Sequence, residues 1–197
     1  MNCIHSKNKQ LLLPLRSAMY DFEEGSVQQE LEKLIAPDAK IKMPFPFKDL
    51  IGSEAFFETC YAPLFRSFPD LERRDWIVMA GSTEQNNHWV GCAGHYSGTF
   101  IEPWLDIPAT GHLAHMRFHE FFRFKEGKIV EIQAIWDIPE LMMQANAWPM
   151  APSLGLEYHV PGPATLDGQV NGPWNEEQSK KSCDLVMEML DHMKLHP

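Results

Sequence analysis

Three histidines and a glutamate lie close together in the second half of the chain, and such residues are common metal ligands. They are His112, His115, His119 and Glu120. The surrounding residues are typical of a β-strand, on which His112 and His115 point to opposite faces and His115 and His119 lie about 13 Å apart at ~3.3 Å per residue. Zinc needs ligand atoms at about 2 Å from one centre. The spacing therefore predicts no metal site, and we expect His115, Arg117 and His119 to form a polar stripe on the outer face of a sheet.

Glu120 alternates with large apolar side chains along this strand. Alternation places it on the same face as Met116, Phe118 and Phe122. A carboxyl group in such surroundings loses hydration, which penalises its ionisation and suits it to move a proton or to donate a hydrogen bond while neutral. The competing interpretations are an exposed glutamate at a sheet edge and a buried one bonded to a neighbour.

Asp137 is a second acidic candidate, because it follows a tryptophan near the end of the last strand pattern. It also precedes Pro139 and stands three residues before Glu140, which is typical of a helix N-cap and favours a structural role. The sequence contains no glycine-rich phosphate-binding loop, no G-x-S-x-G segment and no local cysteine–histidine signature. Nucleotide binding and nucleophilic catalysis are therefore unsupported.

Predicted helices followed by predicted strands must position these candidates. The predicted helices and strands cover, in order, residues 14–24, 30–35, 54–68, 76–80, 88–100, 113–124 and 129–136. A short helix is expected to begin at Asp137. This order predicts an α+β fold in which a curved antiparallel sheet wraps over three N-terminal helices. Such a cone has an apolar mouth suited to small ligands.

Composition excludes several classes of protein. The 197 residues include 17 basic and 27 acidic side chains, giving a net charge of −10, which argues against binding to nucleic acid or to an anionic membrane surface. No apolar run reaches the ~20 residues of a transmembrane helix. The four cysteines are scattered and form no C-x-x-C pair, so we expect free thiols in a reducing, cytoplasmic compartment.

Prolines and glycines recur every few residues between positions 149 and 174, which predicts an extended arm without a compact structure of its own. The arm is expected to cover another surface, because its apolar residues need a place to pack. They are Leu154, Leu156, Tyr158 and Val160. Helical spacing returns after the arm, with Ser182 as the expected cap.

Several segments are similar to motifs of a known family. They read G-H-Y-S-G-T-F from Gly94, D-I-P-A-T-G from Asp106 and R-F-K-E-G-K-I-V-E from Arg123. These resemble the G-T-H-x-G-x-F strand, the G-I-P-P-T-G loop and the R-x-x-D-G-K-I-V-E hairpin of SnoaL-like polyketide cyclases, and the segment from Trp136 to Gln144 resembles their last helix. The resemblance implies a nuclear-transport-factor-2-like cone, the superfamily that also contains ketosteroid isomerases. We expect a SnoaL-like domain over residues 8–148, and an arm with a short C-terminal helix over residues 149–197.

The resemblance implies an enzyme that closes a polyketide ring by an intramolecular aldol step. In that family an aspartate on the last strand takes an acidic proton, and the substrate's own carbonyls stabilise the enolate, so no metal or cofactor is needed. The corresponding residue here is Ala134. The carboxylate that the isomerases carry before a proline falls on Met43. Neither residue can accept a proton.

Two other positions of the resemblance carry groups that can do chemistry. Glu120 falls where the isomerases carry a pocket aspartic acid, and Tyr96 falls where the cyclases carry a histidine, so the resemblance implies Glu120 as acid/base and Tyr96 as a group that orients the substrate. The residues expected to line the cavity with them are Met43, Met116, Phe118, Phe122, Ile132, Ala134 and Trp136.

Two functions therefore stay open. The first is a cofactor-independent enzyme that acts on a hydrophobic carbonyl compound by enolate chemistry, in a cyclisation, isomerisation or lyase step, with Glu120 as acid/base. The second is a non-catalytic small-molecule-binding or assembly protein on the same fold, from which the family's base has been lost. The expected partners are a hydrophobic small molecule and a second copy of the chain that packs on the outer face of the sheet, and neither nucleic acid nor a membrane is expected.

Overall fold

The computed structural model describes residues 3–152, 159–169 and 175–195. Its helices are α1 (Ile4–Tyr20), α2 (Glu24–Leu34), α3 (Gly52–Phe56), α4 (Ala62–Ser67), α5 (Ile138–Gln144) and α6 (Glu176–Met193). Its strands are β1 (Ile35–Lys42), β2 (Leu50–Ile51), β3 (Glu72–Ser82), β4 (His88–Thr99), β5 (Leu113–Lys125) and β6 (Lys128–Trp136). A π-helical turn, Phe57–Tyr61, joins α3 to α4, so these three segments form one continuous helical region. The predicted α+β fold, with three helical regions before the main strands, is confirmed.

The six strands form one curved sheet in the order β2-β1-β6-β5-β4-β3. All neighbouring strands are antiparallel except β1 and β6, which run parallel, with Ile41 opposite Ile132. The expected sheet was antiparallel throughout. The difference arises because β1 follows α2 directly and does not form a hairpin with β6, so no tight turn fixes its direction.

The N-terminal helices begin and end at residues other than those predicted. Helix α1 starts at Ile4 and contains Pro14 in its interior, whereas the predicted helix begins at this proline. The apolar face of this longer helix, with Leu12, Leu15 and Met19 buried, compensates for the backbone hydrogen bond that proline cannot donate. Helix α2 begins six residues before the predicted start at residue 30, and Glu23 caps it, because the Glu23 carboxylate accepts hydrogen bonds from two backbone N–H groups of the first turn.

The start of β3 carries two buried charged residues. This strand begins at Glu72, four residues before the predicted start at Trp76. Its pairing with β4 shifts between Asp75 and Ile77, as in a β-bulge. Arg73 and Asp75 are buried, whereas Ile77 is exposed on the other side of the sheet.

The described part of the arm, residues 159–169, lies against β3 and α1. The Arg16 guanidinium donates to the Gln169 side chain at 2.6 Å, and the Gln169 amide in turn donates to the backbone carbonyl of Asp75. Val160 is exposed, contrary to expectation, while Leu154, Leu156 and Tyr158 lie outside the described residues.

Helix α6 begins after Asn175, which caps it in place of the expected Ser182. None of its residues is buried. Over the parts of the chain that the structure describes, no helix is both long and apolar enough to cross a membrane.

Candidate functional site

The inner face of the sheet carries the candidate acid. Met116, Phe118, Glu120 and Phe122 are all buried, so the alternation predicted for β5 is confirmed. Pairing between strands sets Glu120 opposite Ala134 on β6, and Phe118 opposite Trp136. Ile132 and Ala134 are buried on this face as well, and Met43 is partly buried against the core.

Glu120 has hydrogen-bond partners, although its apolar neighbours along the strand indicated none. The structure therefore matches the interpretation of a buried glutamate bonded to its neighbours. Its Oε2 atom accepts a hydrogen bond from Arg73 Nη1 at 2.6 Å. Its Oε1 atom accepts from the Tyr96 hydroxyl at 3.0 Å and from Trp136 Nε1 at 2.8 Å. The Arg73 and Glu120 side chains are each only 1% exposed. We call these four residues the Glu120 cluster. It holds a buried carboxylate that is paired with a guanidinium and accepts three hydrogen bonds.

Arg73 joins the Glu120 cluster to a second buried carboxylate. Its Nη2 atom lies 3.1 Å from Asp75 Oδ1, and Arg16 Nε donates to Asp75 Oδ2 at 2.9 Å. Burial opposes the charge on Arg73, but the carboxylates of Asp75 and Glu120 raise its pKa well above the ordinary value. Burial likewise opposes ionisation of Asp75, yet the two guanidinium groups keep its pKa below the usual range. A chain of alternating charges therefore runs from Arg16 to Glu120.

Two tyrosines extend the hydrogen bonds of the cluster. The hydroxyls of Tyr61 and Tyr96 lie 3.1 Å apart, and Tyr96 also accepts from Arg73 Nη1 at 2.9 Å. Burial raises the pKa of both phenols well above the ordinary value, so both keep their protons. Since the single proton of Tyr96 goes to Glu120, Tyr61 must donate to Tyr96. The result is a directed chain of donors from Tyr61 through Tyr96 to Glu120.

The apolar mouth of the cone is a cavity of about 780 Å³. It is lined by Phe45, Pro46, Phe47, Lys48, Leu50, Thr59, Leu105, Asp106, Ile107, Ile138, Pro139 and Met142. We call it the mouth cavity. The ring of Phe47 separates it from the Glu120 cluster, since this ring meets Trp136 edge to face with centroids 5.9 Å apart. The D-I-P-A-T-G segment, which is similar to a loop motif of the family, contributes Asp106 and Ile107 to the lining of the mouth cavity.

Phe118, Glu120 and Trp136 were expected to share an open cavity, and they do not line the mouth cavity. They share a layer of the core that is filled by aromatic rings. Tyr61 and Tyr96 pack against Trp136 with ring centroids 5.5 and 5.4 Å away. These rings occupy the space in which the resemblance implies a ligand.

Sequence reasoning missed Arg73, Asp75, Tyr61 and Phe47. A signal for the first two was present, because alternation from the buried Leu71 leads to Arg73 and Asp75 on the same face. The run Glu72 to Asp75 is highly charged, and starting the strand after it concealed this pattern. No comparable signal marked the tyrosine or the phenylalanine.

The three histidines that precede Glu120 in the sequence do not converge on one point. His112 and His119 are exposed, whereas His115 packs with His95 and with His159 of the arm, at centroid distances of 5.6 and 4.5 Å. His95, His115 and His159 form what we call the histidine cluster. Within the described residues, no three or more histidine, cysteine, aspartate or glutamate side chains are arranged to hold a metal ion.

Glu140 lies beside the histidine cluster, with Oε1 3.4 Å from His115 Nε2 and 3.7 Å from His95 Nε2. Burial opposes ionisation of Glu140, but these imidazoles and the Arg117 backbone N–H hold its pKa far below the usual range. Asp137 accepts a hydrogen bond from the Glu140 backbone N–H at 3.1 Å and pairs with Arg117 at 2.8 Å. The helix-cap interpretation of Asp137 is therefore confirmed.

Solved structures from several organisms share this fold. AclR of Streptomyces galilaeus, assigned as a hydroxylase, is 19% identical with a TM-score of 0.61, over 76% of this chain and 91% of AclR. A SnoaL-like protein of Jannaschia, assigned as a polyketide cyclase, is 21% identical with a TM-score of 0.59, over 76% of this chain and 98% of that protein. IdmH of Streptomyces antibioticus, also assigned as a polyketide cyclase, is 21% identical with a TM-score of 0.58, over 71% and 99% of the two chains. At these identities the likeness establishes the fold alone.

The family assignment comes from the sequence match. None of the curated proteins matches the chain significantly. The family model of the SnoaL-like polyketide cyclases matches residues 15–145, a span that contains β1 to β6, the Glu120 cluster and the mouth cavity. Because this match covers well over half of the chain, the protein belongs to the SnoaL-like polyketide cyclase family.

Proposed function

We propose that the protein is a cofactor-independent enzyme that acts on an apolar carbonyl compound by enolate chemistry, with Glu120 as its acid/base. The observation that carries this proposal is the Glu120 cluster, a fully buried ionic group directly behind an apolar cavity. A buried ion pair is seldom more stable than apolar residues of the same volume. Retention of a charge at this place therefore favours a chemical role, which membership of a family of cyclases supports.

The substrate reaches Glu120 from the mouth cavity in this proposal. Phe47 and Trp136 stand between the cavity and the carboxylate, so the Phe47 ring must turn away when substrate enters. The lining of the cavity is mainly apolar, with Lys48, Thr59 and Asp106 as its polar members. Such a lining suits an aromatic or alicyclic substrate with few polar groups.

The ion pair limits which proton Glu120 can remove. Arg73 Nη1 donates to Oε2 of the carboxylate at 2.6 Å and occupies a position at which that oxygen could otherwise accept a proton. A carboxylate held in this way can deprotonate a carbon that lies between two carbonyl groups, where the enolate is stabilised by the substrate itself. In the proposed cyclisation, Glu120 takes this proton, the enolate carbon bonds to a second carbonyl carbon, and the resulting alkoxide takes the proton back. Once Glu120 holds the proton it no longer needs the hydrogen bond from Tyr96, and the Tyr96 hydroxyl, still accepting from Tyr61, turns to donate to the oxygen that becomes negative.

A small-molecule-binding protein is the second candidate, and the same ion pair favours it. A carboxylate held by three donors in a core filled with rings has a complete structural role. Ala134 and Met43, at the positions where the resembling enzymes carry their bases, support this alternative.

Deuterium exchange distinguishes the two candidates. We expect the protein to accelerate exchange at the central carbon of an apolar 1,3-diketone such as benzoylacetone, measured by NMR at pH 5, where spontaneous exchange is slow. Glu120→Gln should lower this acceleration by about 10²-fold or more, while Glu72→Gln, at an exposed glutamate, should leave it unchanged. Tyr96→Phe, which keeps the charges, should give a smaller loss.

Retained exchange in a folded Glu120→Gln protein would refute the acid/base role. Diketone binding without exchange in the wild type would favour the binding protein. Products of the same incubations should also be analysed by mass spectrometry for ring closure and for added oxygen, since AclR is assigned as a hydroxylase.

A further inference from the structure

A second groove lies on the opposite side of Arg73, between α1, β3 and the arm. Its volume is about 500 Å³, within the roughly 300–1,000 Å³ typical of small-molecule sites. None of its lining residues lines the mouth cavity. Tyr20 of α1, Trp76 of β3 and Leu166 of the arm are among the apolar residues that line it. We call it the arm groove.

We propose that the arm groove is a second small-molecule site, which takes a neutral, planar aromatic compound carrying a hydroxyl or carbonyl group. The proposal does not depend on the activity proposed for Glu120.

His95 supplies the first argument, because its Nδ1 atom is buried without a polar partner among the described residues. This side chain is 1% exposed and lines the arm groove, yet neither ring nitrogen has a hydrogen-bond partner among the described residues. Nε2 faces the Glu140 carboxylate at 3.7 Å, the contact that helps to keep the pKa of Glu140 low, so Nδ1 is the nitrogen left for a ligand. Buried polar atoms are nearly always paired in native proteins. A hydroxyl or carbonyl group of a ligand would supply the partner when the His159 ring, whose centroid lies 4.6 Å from that of His95, turns aside to expose this nitrogen.

The charges around the arm groove indicate a neutral ligand. Three arginines line it, but each already has a carboxylate within 3 Å. The pairs are Arg16 with Asp75 at 2.9 Å, Arg73 with Glu120 at 2.6 Å and Arg74 with Glu72 at 2.6 Å. The arginine charges are thus balanced, and an anionic ligand would have to compete with carboxylates that are already in place.

The flat surfaces of the arm groove indicate an aromatic ligand. Trp76 packs against His95 with ring centroids 4.3 Å apart, and the Tyr20 ring lies under the Arg74 guanidinium at 4.4 Å. Aromatic rings bind best against such flat faces, in offset or edge-to-face arrangements.

The arm completes the site. Pro161, Gly162 and Leu166 form one wall, and Gln169 fastens this segment to Arg16 and to the backbone of β3. The groove therefore exists only when residues from opposite ends of the chain meet, which explains why no motif in the sequence indicated it.

Calorimetric titration of the full chain with 2-naphthol tests the proposal. We expect one molecule bound per chain, and binding at least tenfold weaker when the groove is filled by Ser17→Phe from α1 or by Ser97→Phe from β4. His95→Phe, which keeps the ring and removes both nitrogens, should weaken binding about tenfold. The charged analogue 2-naphthoate should bind more weakly than 2-naphthol.

Thr59→Phe is the matched control, because it fills the mouth cavity and leaves the arm groove unchanged. Binding that survives both serine substitutions in folded proteins but is lost in Thr59→Phe would place 2-naphthol in the mouth cavity and overturn the proposal. Absence of binding at millimolar 2-naphthol would overturn it as well, and tighter binding of 2-naphthoate would refute a neutral ligand. None of these outcomes bears on the Glu120 exchange assay, so the two proposals fail separately.

Discussion

Replacing Arg73 by methionine should remove more stability than almost any other single charge change in this protein. Methionine fills much of the same volume, but it leaves Glu120 buried without the cation that lies 2.6 Å away in the wild type. Asp75 keeps its ion pair with Arg16 at 2.9 Å, so the substitution leaves only the Glu120 carboxylate without a cation. Breaking a buried pair by removing one partner costs about 3–5 kcal/mol. We expect a loss of this size in urea unfolding at pH 7.

Arg74→Met is the matched control for Arg73→Met. Arg74 is the next residue of the same strand, and its pair with Glu72 is exposed, with side chains 48% and 45% accessible. Exposed pairs contribute only about 0–1 kcal/mol. The double variant Arg73→Met/Glu120→Gln, which also neutralises the stranded carboxylate, should regain at least half of the lost stability.

The pH dependence provides an independent check on Arg73→Met. Burial favours the protonated form of an unpaired carboxyl, so the folded variant should bind a proton that the unfolded chain releases, and its stability should rise as the pH falls from 7 to 5. The wild type should show no such rise over this range. The lowered pKa of Asp75 adds stability that is present above the unfolded value of about 3.9 and is lost only below it. Equal losses in Arg73→Met and Arg74→Met, or no recovery in the double variant, would refute the reasoning.

Three further predictions concern other parts of the molecule. Gly94→Ala should destabilise the fold by about 3 kcal/mol in urea unfolding, because the new methyl carbon would lie 1.9 Å from a backbone oxygen of β3. Gly81→Ala is the control, since a methyl carbon there would meet no atom within 4 Å. It should change the free energy of unfolding by less than about 0.5 kcal/mol. Burial and the neighbouring imidazoles lower the pKa of His159, so docking of the arm should weaken as the pH falls below about 6.5; limited proteolysis of the arm should be faster at pH 5.5 than at pH 7.5, and equal rates would contradict this. Burial raises the pKa of Cys60 and of Cys92 to about 12, so at pH 8 these two thiols should react with Ellman's reagent only after denaturation, while the exposed cysteine of α6 reacts at once.

Periodicity and family motifs were sufficient to predict the architecture and the direction of Glu120. A strand that alternates Met116, Phe118 and Phe122 with polar residues has only one face to bury, so Glu120 had to share it. The family motif indicated Tyr96 as a residue of the cavity, and its pairing opposite the buried Met116 places it on that inner face.

The partners of Glu120 could not be predicted in the same way. Arg73 belongs to a strand 47 residues earlier in the chain, and its contact with Glu120 depends on how β3, β4 and β5 are ordered in the sheet. Local patterns do not specify that order. The filling of the cone by Tyr61 and Trp136 is likewise a result of packing, which depends on the shapes of side chains from separate elements.

The parallel pairing of β1 with β6 has a consequence for how the molecule is synthesised. Ile41 pairs with Ile132, and the chain between them forms the rest of the sheet. Such long-range pairing closes late in folding, because the entropy of a large loop must be overcome before any contact is gained. On the ribosome, β1 therefore waits with one edge open until β6 has emerged. Helix α5, which follows that last stretch, contributes Ile138, Pro139 and Met142 to the mouth cavity, so the binding region is completed last and a chain cut before β6 lacks one wall of it.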